Sequence, residues 1–455
     1  MSKKPNVLWI ITDQQRAETL SINGSRNSST PNLDMLARTG ANFTDAVSGF
    51  PLCCPYRGSL LTSVYPHRCV PGHEYRLPPE MPTVADVFNE NGYDTFYLGK
   101  WHLDGAKESE ERAGTHVVPR KRRGRFKSWL GYENNNAQYD CWLHGHRLTA
   151  GTSPVRTEEE VPLFRLDGYE TDAMTGLLLD YLESRRGEEE PFFAVMSVQP
   201  PHDPYVAPPE DLKRHRPAEV NFLPNVPDVP HIREEAARDL AGYYAMVENV
   251  DRNVGRILQC LHENGLMDDT HVLFFSDHGD MHGSHGQFRK TTPYQEATHI
   301  PFLISGEKRG GHVVNRKAGN VNRVPINHVD VAPTSLGLCG IPAPDWMEGT
   351  DYSALRLLGK APGDYPASAY LQSVIPTCHP DSVNKPWRGI VTTDGYKYVC
   401  FEGVDWLLFD LNTDPFEQVN LAHNDTWYPL RKRLHAELAA WIDKTGDSFA
   451  LPRIG

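Results

Sequence analysis

Apolar positions along this chain follow two rhythms. Short unbroken apolar runs recur at Asn6–Thr12, Thr95–Leu98, Phe192–Val198, His271–Ser276 and Pro301–Ser305. Between them, apolar residues fall at helical spacing over Asn32–Thr39, Pro82–Asn91, Asp167–Ser184 and, longest, Glu234–Asn264. The first kind predicts strands buried on both faces, the second predicts amphipathic helices. Their alternation predicts an α/β fold, a mostly parallel sheet flanked by helices.

The rhythm changes after Gly340. A Pro/Ala/Gly-rich stretch, Gly340–Pro366, reads as a linker or a wrapping segment. Beyond it, Ala367–Tyr370, Gly389–Thr393, Tyr396–Phe401 and Leu407–Asp410 predict short strands, and Tyr428–Lys444 a last helix. The expected division is a main α/β domain over residues 1–345 and, over 346–455, a smaller C-terminal subdomain with an antiparallel sheet and a terminal helix. Leu103–Pro162 is polar and irregular, and within it Arg120–Lys127 is strongly basic. Charge runs are usually solvated faces, so a solvated loop is the expectation there.

Composition narrows the partners. The 455 residues carry a net charge of −13, which argues against nucleic acid and against anionic membrane surfaces. No apolar run approaches the ~20 residues of a membrane span. Asn6–Thr12 is too short for a signal-peptide core, so the chain as it stands reads as cytoplasmic, or as periplasmic or secreted if a leader has been removed. Eight cysteines (Cys53, Cys54, Cys69, Cys141, Cys260, Cys339, Cys378 and Cys400) are scattered irregularly, with neither a disulfide framework nor a zinc pattern. Most are expected to be free, buried thiols.

Two of the predicted strands share a design. Asn6–Thr12 continues into Asp13-Gln14, and the strand ending in Ser276 continues into Asp277-His278. Ligands bind outside the carboxyl ends of strands in open α/β sheets. Adjacent strands of this form would bring Asp13, Gln14, Asp277 and His278 together, and a cation would relieve the repulsion of the two carboxylates. The set is mostly oxygen with one nitrogen. It suits one hard or borderline divalent metal, calcium first, with magnesium and manganese as alternatives.

Cys53-Cys54-Pro55-Tyr56-Arg57 is a weak pattern alone, but it continues as Gly58-Ser59-Leu60-Leu61-Thr62-Ser63 and follows Thr30-Pro31-Asn32-Leu33-Asp34. Further along stand Gly99-Lys100-Trp101-His102, Pro201-His202, Ser276-Asp277-His278-Gly279, Lys290, Lys397-Tyr398 and Leu408-Phe409-Asp410-Leu411. In this ordered set the chain resembles the type I, formylglycine-dependent sulfatases of the alkaline phosphatase-like superfamily, over nearly its whole length. The resemblance assigns catalysis to the main domain. It implies that a formylglycine-generating enzyme oxidises Cys53 to an aldehyde whose hydrate is the nucleophile. One hydroxyl attacks sulfur and the alcohol leaves; the other then loses its proton, the aldehyde re-forms and sulfate is expelled.

The same resemblance implies roles around Cys53. Pro55 suits the first turn of a helix whose N-terminus faces the sulfate. Arg57 is expected to orient the diol. Lys100 is expected on a sulfate oxygen, and His102 beside the diol as the base that re-forms the aldehyde. His202, stiffened by flanking prolines, is expected to protonate the leaving oxygen, with Lys290 as its competitor for that role. His282 and His285 are read as structural, and Asp330 as a helix cap. Two positions depart from the family signature: Ser63 stands where glycine is usual, and Tyr56 where a small residue is common.

The expected substrate is a sulfated small molecule or glycan, with a carbohydrate sulfate favoured. Trp101, Trp142, His144, His146, Tyr205 and Arg388 are candidates to touch it, and the Arg120–Lys127 run could grip a sulfated polymer. Two alternatives remain. One is a phosphonate monoester or phosphodiester hydrolase of the same superfamily, against which Lys100-Trp101-His102 argues. The other is an unmodified pseudoenzyme that binds sulfated glycans.

Overall fold

The computed structural model describes residues 4–110, 112–146, 160–305, 320–357, 360, 363–377 and 383–453. Among these, ten strands form one sheet: β1 (Asn6–Thr12), β2 (Ala41–Phe43), β3 (Asp94–Lys100), β4 (Ser128–Tyr132), β5 (Trp142–His146), β6 (Glu160–Arg165), β7 (Phe192–Ser197), β8 (Thr270–Ser276), β9 (Phe302–Ile304) and β10 (Asn320–Asn322). Their order is β10-β2-β9-β8-β1-β7-β3-β4-β5-β6. The central strands β8, β1, β7, β3 and β4 are all parallel. β9 runs antiparallel to β8 and β2, and β5 and β6 are antiparallel additions at the other side. The predicted strand at 301–305 therefore exists but reverses direction.

Helices cover both faces: α1 (Pro31–Thr39), α2 (Cys53–Thr62), α3 (Val84–Glu90), α4 (Glu170–Ser184), α5 (Pro209–Leu212), α6 (Pro230–Glu263), α7 (Gln295–Thr298) and α8 (His328–Leu338). Every residue of β1, β3, β7 and β8 is buried, as non-alternating strands between two helical layers must be. One core lies between the sheet and α2, α3 and α8, built on Trp9, Phe193 and Phe275. The other lies toward α1, α4 and α6, built on Leu8, Phe96, Met196 and Phe274. Among the described residues, no helix is long and apolar enough to cross a membrane.

The register places the site. Thr12 pairs with Ser276, Ile11 and Gly99 both pair with Ser197, and Lys100 pairs with Tyr132. The carboxyl ends of these parallel strands thus stop at one level, and whatever follows them converges.

Leu103–Pro162 is not the irregular region expected. β4 and β5 lie within it, and β6 begins there. The basic run is solvated only in part: Arg120, Lys121 and Arg125 are exposed, while Arg123 and Phe126 are buried. Arg122 pairs with Asp104 at 3.0 Å, Arg123 is buried against Glu160 and over the Trp129 ring, and Arg125 pairs with Asp86. These three cations are thus paired with neighbouring carboxylates, while Arg120 and Lys121 stay exposed.

A second sheet, β11 (Ser368–Ser373), β12 (Trp387–Thr392), β13 (Tyr396–Phe401) and β14 (Val404–Asp410), is antiparallel in simple order. α9 (Tyr428–Thr445) covers one face through Leu434, Leu438 and Trp441. The other face carries Trp387, Val391, Val399 and Phe409, in one cluster with Val47 of the first part of the chain. The stretch after Gly340 wraps rather than links: Glu348 N–H donates to Ser63 O, and Thr350 N–H to Asp330 Oδ1. Asp330 caps α8 as expected, accepting from Asn327 N–H at 2.8 Å.

Candidate active site

α2 sets the geometry. Leu52 is the extended residue before the helix, Cys53 is its first residue, and Pro55 lies in the first turn, where its missing N–H costs nothing. All ten helix residues are buried. The helix stops at Ser63, which is left-handed with φ 55°. That conformation explains why glycine suits the position. Serine is held there because its Oγ donates to Val329 O at 2.6 Å and accepts from Gly349 N–H at 3.1 Å. Tyr56 is accommodated against the His328 ring at 5.0 Å.

Three side chains surround Cys53 Sγ: His278 Nε2 at 3.2 Å, Asp13 Oδ1 at 3.6 Å and Lys290 Nζ at 3.7 Å. Asp13 takes an ion pair from Lys100 Nζ at 2.7 Å. Arg57 Nη2 bridges Asp13 Oδ2 at 3.2 Å and Asp277 Oδ2 at 3.1 Å, while its Nη1 donates to Ser197 Oγ at 2.7 Å and to Lys100 O. Lys290 Nζ lies 2.6 Å from His202 Nε2 and 2.9 Å from Gln14 Oε1. All of these residues are buried.

Two imidazole tautomers follow from their second contacts. His278 Nδ1 faces Gly279 O at 2.9 Å and His202 Nδ1 faces Asp203 O at 2.7 Å. A carbonyl only accepts, so both Nδ1 atoms carry the proton. Burial lowers His278 from its ordinary value, which leaves its Nε2 a lone pair, and His202 Nε2 faces the Lys290 ammonium, which can only donate. For His278 that lone pair faces Asp13 Oδ1 at 3.5 Å and Asp277 Oδ1 at 3.7 Å. A neutral nitrogen turned on two carboxylate oxygens is an arrangement a cation suits. One ligand atom each from Asp13, Cys53, Asp277 and His278 lies within 4.8 Å of the others. Gln14, at φ 69°, gives its N–H to Asp277 Oδ1 at 3.1 Å. Its side-chain Nε2 donates to Asp280 Oδ2 at 2.7 Å, and also to Tyr205 and Asp203, which leaves Oε1 turned to Lys290.

The electrostatics are cationic at close range. Burial would raise the Asp13 carboxyl, but Lys100 and then Arg57 hold it well below its ordinary range. Burial works against the charge on Lys100, but Asp13 together with Cys53 and Asp277 outweighs it, so the ammonium is held above its usual value. His102 is pushed well below its ordinary value by burial, then by Lys100 and His73, and is neutral. His102 itself is left-handed, φ 54°, and the structure groups it with Cys54 and His73 rather than with the carboxylates.

Sequence reasoning missed Ser197, which anchors Arg57, although it ends β7 with a hydroxyl just as Thr12 and Ser276 end β1 and β8. It also missed Asp280, which orients Gln14. Most of the sugar-contact candidates do other work. Trp101 is packed between Tyr97 and Trp129. His144 and His146 accept from the Val118 and Trp129 N–H groups, and Trp142 donates to Asp140. Arg388 is buried on Asp447 at 2.6 Å. Tyr205 stays near the site, 3.0 Å from Asp280. His282 packs between the Tyr205 and Tyr243 rings, and His285 stacks on Tyr294 beside Glu296 and Glu417. The described cysteines are free, and all but Cys339 are buried; Cys378 lies outside the described residues.

A parallel-centred sheet that converges two aspartates, an imidazole and three cations on one thiol at a helix N-terminus defines an ester hydrolase of alkaline phosphatase-like fold. The family model described as Sulfatase matches residues 5–341, and one described as N-sulphoglucosamine sulphohydrolase, C-terminal, matches 283–444. The chain is 33% identical to the ulvan-active sulfatase of Formosa agariphila, over 98% of this chain and 82% of that one. It is 28% identical to an endo-4-O-sulfatase of Bacteroides thetaiotaomicron, over 100% and 94%. A Bacteroides fragilis chain solved under the sulfatase name yidJ superposes with a TM-score of 0.84 at 26% identity, covering 98% and 97%. The chain belongs to the sulfatase family and is a sulfate ester hydrolase.

Proposed function

We propose that this enzyme removes sulfate from a carbohydrate, using a formylglycine made from Cys53 and one divalent cation, calcium first. The observation that carries the reading is the placement of Cys53: first residue of a buried helix, with Lys290, His278 and Asp13 within 3.7 Å of its Sγ. The aldehyde, as its hydrate, supplies an oxygen nucleophile with a built-in exit for sulfate, and a formylglycine-generating enzyme is the partner that makes it. Asp13, Asp277 and His278, with Gln14 beside them, would hold the cation, which supplies neutralising charge for the sulfate oxygens.

The other residues act through charge and proton position. Arg57, fixed by Ser197 and both aspartates, orients the nucleophile. Lys100 and Lys290 stabilise charge on the transferring group, at fixed distances and out of water, where such stabilisation is strongest. His202 and Lys290 act as one hydrogen-bonded pair that delivers a proton to the leaving oxygen. His102, neutral and next to the first turn of α2, accepts the proton when the aldehyde re-forms. The ulvan and endo-4-O-sulfatase relatives support a glycan substrate.

The test is a desulfation screen across sulfated mono- and oligosaccharides, on protein co-expressed with the generating enzyme. 4-Nitrophenyl sulfate is the reference, and an aryl phosphonate is the control for the related hydrolase chemistry. A sulfated saccharide should be turned over with higher kcat/KM than the aryl sulfate, and the aryl sulfate better than the phosphonate. Preference for the phosphonate would overturn the reading.

A further inference from the structure

One buried thiol beside this site has no part in that reaction. Cys54 follows Cys53 on α2, so its side chain leaves the helix about 100° further round. Its Sγ, a ring nitrogen of His73 and a ring nitrogen of His102 all lie within 4.8 Å of one another. Three segments bring them together: the first turn of α2, the turn that carries His73, and the residues that follow β3. The His73 and His102 rings meet edge to face at 5.6 Å.

The three members would meet a cation differently. His102 is pinned by its left-handed backbone and by its N–H bond to Glu133 O at 2.6 Å. Its Nδ1 is buried with no hydrogen-bond partner, which in a folded protein costs on the order of 1–3 kcal/mol. Cys54 is fully buried, and burial pushes its thiol well above the ordinary value, with Cys53 adding to it. His73 keeps 23% of its side chain exposed and has the Glu74 carboxylate 3.7 Å away, which gives an incoming cation a path.

One sulfur and two imidazole nitrogens make a borderline-soft set. Zinc bonds of about 2.0–2.3 Å imply ligand atoms about 3.3–3.8 Å apart, so small side-chain rotations close the cluster. We propose that Cys54, His73 and His102 form a second cation site, for a thiophilic ion of the zinc class, and that filling it switches the enzyme off. On binding, the Cys54 proton goes to solvent, and the thiolate and two neutral imidazoles take the ion; nothing is oxidised or reduced. The binding site stands on geometry alone. The switch rests on the proposed role of His102, which a bound ion would remove from proton transfer.

Cadmium(II) is the probe for the site, because its bond to a thiolate gives a near-ultraviolet charge-transfer band. The full chain carrying Cys53→Ser, saturated with calcium, is titrated with cadmium(II). One equivalent should bind with the band. Adding Cys54→Ser should abolish it, and adding His73→Gln should weaken binding at least tenfold. No band, or a band that survives Cys54→Ser, would overturn the site.

The switch is tested on matured enzyme with native Cys53. Zinc should inhibit 4-nitrophenyl sulfate turnover reversibly. Relative to each protein's own zinc-free rate, the inhibition constant should rise at least tenfold in Cys54→Ser and in His73→Gln. Equal zinc sensitivity in all three would overturn the switch. A matured enzyme with no sulfatase activity would count against the reaction, and the cadmium titration would still decide the site.

Discussion

Two regions of this molecule bury charge completely, and they do so to different ends. At the carboxyl edge of the parallel strands, Asp13 and Asp277 meet Arg57, Lys100 and Lys290 around Cys53. Where the second sheet meets the first, Lys397 of β13 pairs with Glu417 at 2.6 Å and donates to Pro293 O at 2.8 Å and to Gln295 Oε1 at 3.0 Å. The second cluster answers its one cation with Glu417 and with carbonyl groups of the chain, and holds Glu296 and His285 close by, with no reactive atom at its centre. The first keeps an excess of cations over carboxylates, aimed at one sulfur atom. Buried charge alone therefore does not mark a catalytic centre. Convergence on a reactive atom, with a surplus of one sign, does.

Mutations should break the two clusters in opposite ways. Cys53→Ala should lower kcat by about 10⁴-fold or more, the scale on which enzymes lose a nucleophile, with the thermal melt unchanged. Lys100→Ala or Lys290→Ala should each lower kcat by about 10²–10³-fold, as removal of a charge-stabilising donor does. An unchanged kcat in steady-state assays of either variant would remove that lysine from the mechanism. Lys397→Ala should do the reverse. It leaves Glu417 buried without its cation and should cost about 3–5 kcal/mol in denaturant unfolding, with kcat per folded molecule intact.

A smaller effect should appear in pH dependence. Burial, more than any partner, pushes the Glu417 carboxyl up from 4.5 to about 7. The folded state then holds a proton that the unfolded state has released, so this group's contribution is full below about pH 4.5 and is lost as pH rises toward 7. Glu417→Gln should flatten that part of the stability profile, measured by urea unfolding at a series of pH values. A profile as steep as the parent's would contradict the assignment. The smallest change is expected at Ser63. Glycine there relieves about 1–2 kcal/mol of left-handed strain and removes two hydrogen bonds of about 1 kcal/mol each. The melting temperature of Ser63→Gly should therefore stay within a few degrees of the parent's.

The same contrast separates what the sequence made legible from what it did not. β1, β3, β7 and β8 are unbroken apolar runs with no alternation, and their buried, parallel nature follows directly. Because a parallel sheet collects its strand ends, Asp13, Asp277 and Lys100 could be brought together before any coordinates. β4, β5 and β6 were hidden. They are short, glycine interrupts two of them, and β5 carries two histidines whose ring nitrogens accept backbone N–H groups instead of facing solvent. Arg123 misled for a related reason: its cation lies over Trp129 and pairs with Glu160, partners that only the folded sheet supplies. The Cys54–His73–His102 cluster was invisible because a left-handed histidine after β3 cannot be read from residue types.

The central claim is that Cys53 works only after conversion to formylglycine. The most direct measurement prepares the protein at several levels of co-expressed generating enzyme. For each preparation, mass spectrometry of the peptide spanning Cys53 gives the aldehyde fraction, and turnover of 4-nitrophenyl sulfate gives the activity. The account predicts a straight line through the origin. Full activity in protein whose Cys53 remains a thiol would contradict it.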